Sequence, residues 1–410
     1  MNQADTAWML IATALVLLMT PALAFFYGGL VRSKNALNTM MMSYISLGFV
    51  GVLWALLGYS LAFTEGNNWI GSLANAWLNG VGLEPKGTIP HVLFMAFQAT
   101  FCIITAALIS GAIVERMRFS AYVTFISLWS LAVYAPIAHW VWGGGWLADM
   151  GALDFAGGTV VHVNAGVAAL VAAFVLGKRQ EYPSSSLLPH NVPFVLLGAG
   201  LLWFGWFGFN AGSALAANGI AGLAFVTTML APAATLVVWS FLDLFRSGKP
   251  TAVGAATAIV VGLVAITPAA GFVSPMSAII LGGLAAFPSY IAMQIRAKTS
   301  LDDSLDVVAA HGVGGATGAL LTGVFAEKSL NGIADGLLFG NPGQLATQAI
   351  AVAAAIVYSG VVSFILLKLI GAVIPLRASE SDEGAGLDIT QHGEEAYLHV
   401  GSTSSRAEVM

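Results

Sequence analysis

Apolar runs of roughly 20 residues recur along almost the whole chain, and they limit what it can fold into. A run of that length crosses the hydrocarbon core of a bilayer as a helix, where every backbone N–H and C=O must be paired internally. Eleven runs stand out, at about 6–31, 39–64, 91–114, 119–142, 158–177, 192–209, 219–242, 252–271, 276–294, 304–325 and 345–374. The last is long enough to tilt strongly or to project past the bilayer. Only 9% of the residues are charged, against nearer a quarter in a soluble domain. The expected fold is an all-α polytopic membrane protein with eleven transmembrane helices. Ala22-Leu23-Ala24 resembles a cleavage site, but the flank before the first run carries Asp5 and no Lys or Arg. A secretory signal needs a basic start, so the first run is expected to be a retained span.

Orientation follows from the Lys and Arg residues between the runs. With the N-terminus outside, the inside segments hold Arg32, Lys34, Arg116, Arg118, Lys178, Arg179, Arg246, Lys249, Arg296, Lys298, Lys368, Arg377 and Arg406. The outside segments hold only Lys86 and Lys328. Residues 1–375 are thus expected to form the membrane domain, and 376–410 a cytoplasmic regulatory tail. The tail holds two basic and seven acidic residues. It is too polar to span and too short to fold alone, so it is expected to dock on the cytoplasmic loops. No basic patch argues for nucleic acid, and the single cysteine, Cys102, excludes an internal disulfide or a thiolate cluster. No lysine in mid-span suits a Schiff base, no arginine run marks a voltage sensor, and no cofactor or metal is expected.

Asp154 stands eight residues before His162, and Asp303 eight before His311. Each histidine lies one to two turns into an apolar run, where a titratable side chain is costly and usually functional. With eleven spans the two runs point in opposite directions. The spacing therefore predicts an inverted repeat, helices 1–5 (about 6–177) against 6–10 (about 192–325), with a long helix 11 unpaired. Opposed repeats with a site between them are a common transporter design. The histidines, about 12 Å along each helix from their aspartates at 1.5 Å per residue, approach the midplane from both sides. Asp154 reads as a helix cap that also favours a cation near the outer mouth. Phe101, Trp142, Trp206, Phe207, Phe209, Asn210 and Ser213 fall near predicted outer ends. Any one tryptophan there is ordinarily an interface anchor. Rings facing a cavity would instead attract a small cation, with serine as acceptor.

The stretch Asp154-Phe155-Ala156-Gly157-Gly158-Thr159-Val160-Val161-His162, continued by Val163-Asn164-Ala165-Gly166, resembles the signature of the ammonium transporter family (Amt, with Mep and Rh relatives). So do Phe25-Phe26-Tyr27-Gly28-Gly29-Leu30-Val31-Arg32, His139-x-x-Trp142-Gly143-Gly144-Gly145, the run from Trp203 to Ser213, Asp306-x-x-x-x-His311-Gly312, and the tail from Gly386 to Tyr397. The resemblance covers essentially the whole chain. It implies a homotrimer in the inner (plasma) membrane with one pore per subunit, conducting ammonium or ammonia rather than acting as an enzyme. It implies an outer ammonium site of Phe101, Trp142 and Ser213 supported by Asp154, a gate of Phe101 and Phe209, and His162 and His311 along the pore. Trp206, Asp303 and Asp306 would support these groups. In many bacterial members the tail face binds a trimeric PII signalling protein. Three other readings stand beside this one. They are a neutral channel for ammonia or carbon dioxide, an ammonium sensor signalling through its tail, and an intramembrane enzyme using the histidines.

Overall fold

Apolar chain with so few charges satisfies its backbone by winding into helices, and the computed structural model, which describes residues 1–183 and 187–397, is a helical bundle. The principal helices are α1 Gln3–Leu30, α2 Ser33–Phe63, α3 His91–Ala112, α4 Phe119–Asp149, α5 Gly158–Leu176, α6 Val192–Ala211, α7 Gly219–Ser247, α8 Ala252–Ile266, α9 Pro275–Arg296, α10 Val308–Phe325 and α11 Pro342–Gly371. Among the described residues, ten of these are long and apolar enough to cross a membrane. The exception is α8, where a run to residue 271 was expected. Its helix ends at Ile266, close to Pro268, which has no N–H to donate. The eleven expected helices are thus all present among the described residues, with α8 shorter than the rest, and its length alone does not confirm an eleventh crossing. A two-residue strand pair that the sequence does not announce, Pro85–Lys86 against Ile89–Pro90, lies between α2 and α3.

The two runs that carry the histidines open alike. Each begins with a six-residue π-helical segment, Gly158–Val163 and Val308–Val313, before continuing as α-helix. Such wide turns occur often at functional sites. Each π segment packs against the helix that follows the other. Glycine permits the approach. A Cβ on Gly166 would stand 2.3 Å from the Gly312 nitrogen, and one on Gly315, 2.8 Å from the His162 Cβ. Gly166 and Gly315 each lie four residues after a histidine, so the two halves make the same close contact with roles exchanged.

One end of the bundle carries a buried charge cluster. The Glu115 carboxylate accepts from Arg179 at 2.9 Å and from the Arg32 backbone N–H at 2.9 Å. Arg179 also donates to both Asp302 oxygens, at 2.8 and 2.9 Å. Arg116 donates to the Asp302 carbonyl at 2.6 Å and to Ser304 at 2.7 Å. Burial pushes the carboxyls of Glu115 and Asp302 up, but the guanidinium groups beside them more than offset it and hold both below the ordinary carboxylate range.

The tail packs on this same end through two short helices, α12 Glu380–Ala385 and α13 Leu387–His392. Asp388 accepts from the N–H groups of Leu37 and Asn38, at 3.0 and 2.7 Å, near the start of α2. A carboxylate suits a helix N-terminus, where N–H groups lack intrahelical partners. Asn35 returns the contact by accepting from the Leu387 N–H at 2.8 Å. Lys34 donates to the Glu383 and Gly384 carbonyls, and Arg377 pairs with Glu383. Residues 398–410 of the expected tail, including Arg406, lie outside the described residues.

Two predictions follow from this packing. Gly166→Val should force α5 off α10 and cost about 3 kcal/mol or more, read as a large drop in melting temperature in detergent. Gly48→Ala, where a Cβ meets nothing within 4 Å, serves as control, and an equal melting temperature for the two variants would refute the packing argument. The charge cluster sets a pH window. A carboxylate depressed in the fold contributes stability that is present above its unfolded pKa, about 4, and lost as pH falls through its lower folded value. Melting temperature should thus fall on acidification below about pH 4, and Glu115→Gln should blunt that fall.

Candidate functional site

Opposite the charge cluster, the bundle opens into a cavity of about 350 Å³ whose walls include Gln98, Phe101, Trp142, Phe155 and Ser213. Four separate stretches of chain supply these residues. Trp142 stands edge to face against Phe101, with ring centroids 6.0 Å apart and planes at 88°. Its indole N–H donates to the Asp154 carbonyl at 2.8 Å, which fixes the ring on the wall. Ser213 spends its hydroxyl proton on the Phe209 carbonyl at 2.8 Å, leaving its oxygen as an acceptor on the wall. Aromatic faces and an oxygen acceptor form a suitable lining for a small cation.

The Asp154 carboxylate is not part of that lining. It accepts the backbone N–H groups of Gly157, Gly158, Thr159 and Val160, at 2.7, 2.7, 2.8 and 3.1 Å. It is the cap of α5, and it supports the cavity only through its carbonyl bond to Trp142. Burial pushes its carboxyl up, and the four N–H bonds pull the other way.

The cavity floor is a pair of stacked rings. Phe101 and Phe209 lie 4.1 Å apart at 23°, each 1% exposed. Behind them is a narrow enclosed space of about 10 Å³, walled by Leu23, Ile104, Leu108, Val161, Leu202 and Val260 among others. His162 and His311 are the polar members of this wall, with Trp206 beside them. Their Nδ1 atoms are 3.2 Å apart, with ring centroids at 5.2 Å and planes at 27°. One Nδ1 must donate and the other accept, so the accepting ring carries its proton on Nε2. Both Nδ1 atoms cannot be protonated in this contact. The His162 Nε2 is buried without a protein partner. Trp206 stacks on His162 at 5.5 Å and 23°, and its N–H donates to the Thr267 hydroxyl at 2.9 Å.

Beyond His311 the space widens again to about 340 Å³, with Phe26, Tyr27, Arg179, Arg296 and Asp306 on the wall. Phe26, Val260 and His311 border both this cavity and the narrow space. Asp306 accepts from Arg296 at 2.9 Å, and its backbone is left-handed (φ 58°), unusual outside glycine. Asp303 does for α10 what Asp154 does for α5, accepting from Val307 and Val308 at 3.1 and 2.8 Å. Burial, reinforced by Asp306, pushes its carboxyl above the ordinary carboxylate range. Three spaces therefore lie in series, with one stacked ring pair and one histidine pair between the wide ends.

Phe101, Trp142, Ser213, Phe209, His162, His311, Trp206 and Asp306 lie on this series. Asp154 and Asp303 instead cap the helices that carry the histidines, Phe207 stacks on Phe225 away from it, and Asn210 donates to the Thr228 hydroxyl. Sequence reasoning did not single out Thr267, which holds Trp206, or Arg296, which holds Asp306. Thr267 was legible only as a lone hydroxyl in an apolar run.

Residues 7–397 match the family described as Ammonium Transporter Family. An ammonium transporter of Bacillus subtilis is 49% identical over 402 residues, covering 97% of this chain and 99% of its own. The ammonium transporter Amt1 of Archaeoglobus fulgidus is 47% identical over 398 residues, covering 97% and 100%. Among solved structures, Saccharomyces cerevisiae Mep2 superposes with a TM-score of 0.87 at 36% identity, covering 93% of this chain and 89% of that one. A protein described as a sensor Amt protein superposes with 0.89 at 30% identity, covering 95% and 98%. On this evidence the chain belongs to the ammonium transporter family.

Proposed function

We propose that this protein moves ammonium across a membrane by capturing the cation, removing its proton and passing neutral ammonia through an apolar lumen. The observation that carries the reading is the sequence of spaces. A cavity fit for a small cation ends on stacked phenylalanines, and behind them lies a space too small for a hydrated ion. Carrying a bare cation through that space would be costly. Ammonia, once neutral, meets apolar walls and two imidazoles. Potassium resembles ammonium in size but has no proton to lose, so the same path rejects it.

The roles follow from position. Phe101, Trp142 and Ser213 hold the cation, and Phe101 with Phe209 forms the gate. His162 and His311 form a polar rail that holds ammonia and offers one nitrogen pair for handing a proton inward. A proton travelling that way makes transport electrogenic; a proton returned to the side of entry makes it neutral. The cavity with Trp142 faces outward. Arg32, Lys34, Arg116, Arg179, Arg296 and Arg377 gather at the other end, which the positive-inside rule assigns to the cytoplasm. The N-terminus is then outside and the tail cytoplasmic, in the plasma membrane. The protein assembles as a homotrimer with one pore per subunit, and the tail face is where a PII-type regulator would bind. Sensing through the tail is the second reading, favoured by the docked tail and by the likeness to the sensor Amt protein.

Proteoliposome currents on an ammonium jump, taken at several pH values, separate the readings. Current supports electrogenic transport, a pH change without current supports a neutral channel, and silence supports a sensor. Trp142→Leu should raise the half-saturating ammonium concentration by roughly three- to tenfold through the lost cation–π contact; an unchanged value returns Trp142 to the interface belt. His162→Ala and His311→Ala should abolish the ammonium response or, if water enters the widened lumen, lose discrimination against potassium. Variants with wild-type response and wild-type selectivity would reduce the histidines to packing.

A further inference from the structure

The wall of the Trp142 cavity has a second layer. Phe63 and Phe94 line the cavity and meet edge to face at 5.2 Å and 86°. Tyr59 stacks on Phe63 at 5.8 Å and stands edge-on to Phe94 at 6.4 Å. The three rings form a cage, and the Lys86 ammonium sits against all of them. Its nitrogen is 4.9 Å from the Phe94 centroid, 5.5 Å from Tyr59 and 5.9 Å from Phe63. It donates to the Tyr59 hydroxyl at 3.2 Å and to the Phe63 carbonyl at 3.3 Å. The Tyr59 hydroxyl is in turn hydrogen-bonded to the His91 Nε2. The short hairpin holds the lysine in place, with Lys86 paired to Ile89. Among the described residues its partners are rings, a phenol and a carbonyl, and none is an acid. Burial holds the ammonium below the ordinary lysine range.

A lysine head group is an alkylammonium ion, the same chemical class as the cation that the cavity is read to take. Two such ions on the two sides of Phe63 and Phe94 compete twice. They draw on the same ring faces, and they repel across a poorly solvated wall. We propose that Lys86 is a tethered cation that sets the affinity of the outer cavity, raising the ammonium concentration needed to fill it. This rests on the reading of that cavity as the ammonium site.

The test compares Lys86→Met and Lys86→Arg with wild type. Ammonium uptake into proteoliposomes is measured at low and high salt, with melting temperature and assembly recorded for each protein. Lys86→Met should lower the half-saturating concentration by roughly threefold or more at low salt, less at high salt as the charge is screened. Lys86→Arg, which keeps the charge in the cage, should restore the wild-type value. The proposal is overturned if Lys86→Met leaves half-saturation unchanged, or if both variants shift it equally together with the melting temperature, since the residue then only packs. Wild-type protein that takes up no ammonium would sink the transport reading instead. Equilibrium binding of methylammonium to wild type and Lys86→Met would still decide the matter, tighter binding to the variant supporting Lys86 as an opposing cation and equal binding refuting it.

Discussion

The hydrogen bond between His162 and His311 depends on two helices that touch almost backbone to backbone. Gly166 against Gly312, and Gly315 against His162, leave no room for a side chain. That contact brings the two imidazoles to 3.2 Å. It also narrows the lumen, because α5 and α10 supply two of its walls. A cation with its water does not fit so small a space, so the proposed mechanism places selection before it, at the ring pair and the cavity above. The chemistry assigned to the site is thus a consequence of how closely the two halves pack.

The aspartates show how the same packing is held. Asp154 and Asp303 each cap the first N–H groups of a histidine-bearing π segment. A π turn leaves more backbone donors without partners than a regular helix start, and a buried carboxylate satisfies several at once. The charge cluster of Glu115, Arg179 and Asp302 then ties α1, the loop after α3, the loop after α5 and the loop before α10 into one end. The tail rests on that end, so its contacts bear on the same loops that frame the inner cavity.

Much of this was legible in the sequence. The apolar runs implied the helices, the unequal lysine and arginine counts implied an orientation, and the matched Asp–His spacing implied the equivalent openings of α5 and α10. What was not legible depends on tertiary contact. Phe101 and Phe209 are 108 positions apart, and their stacking was expected only from the family resemblance. Asp154 was read as a helix cap that also favours a cation; the cap is as expected, whereas the bond from the Trp142 indole to its carbonyl, which ties it to the cavity wall, had no signal in the sequence. The run to residue 271 was counted as a full span, whereas Pro268 helps end its helix early. The cage around Lys86 joins a hairpin to two helices, and no periodicity announces such a meeting.

The central claim is that only a cation able to shed a proton can pass. The most direct measurement is wild-type flux in proteoliposomes under matched inward gradients of ammonium and of potassium, at one pH and one ionic strength. The account predicts saturable ammonium uptake with potassium flux at the level of empty vesicles. Potassium entering at a rate comparable to ammonium would mean that the intact ion crosses, and would contradict the account.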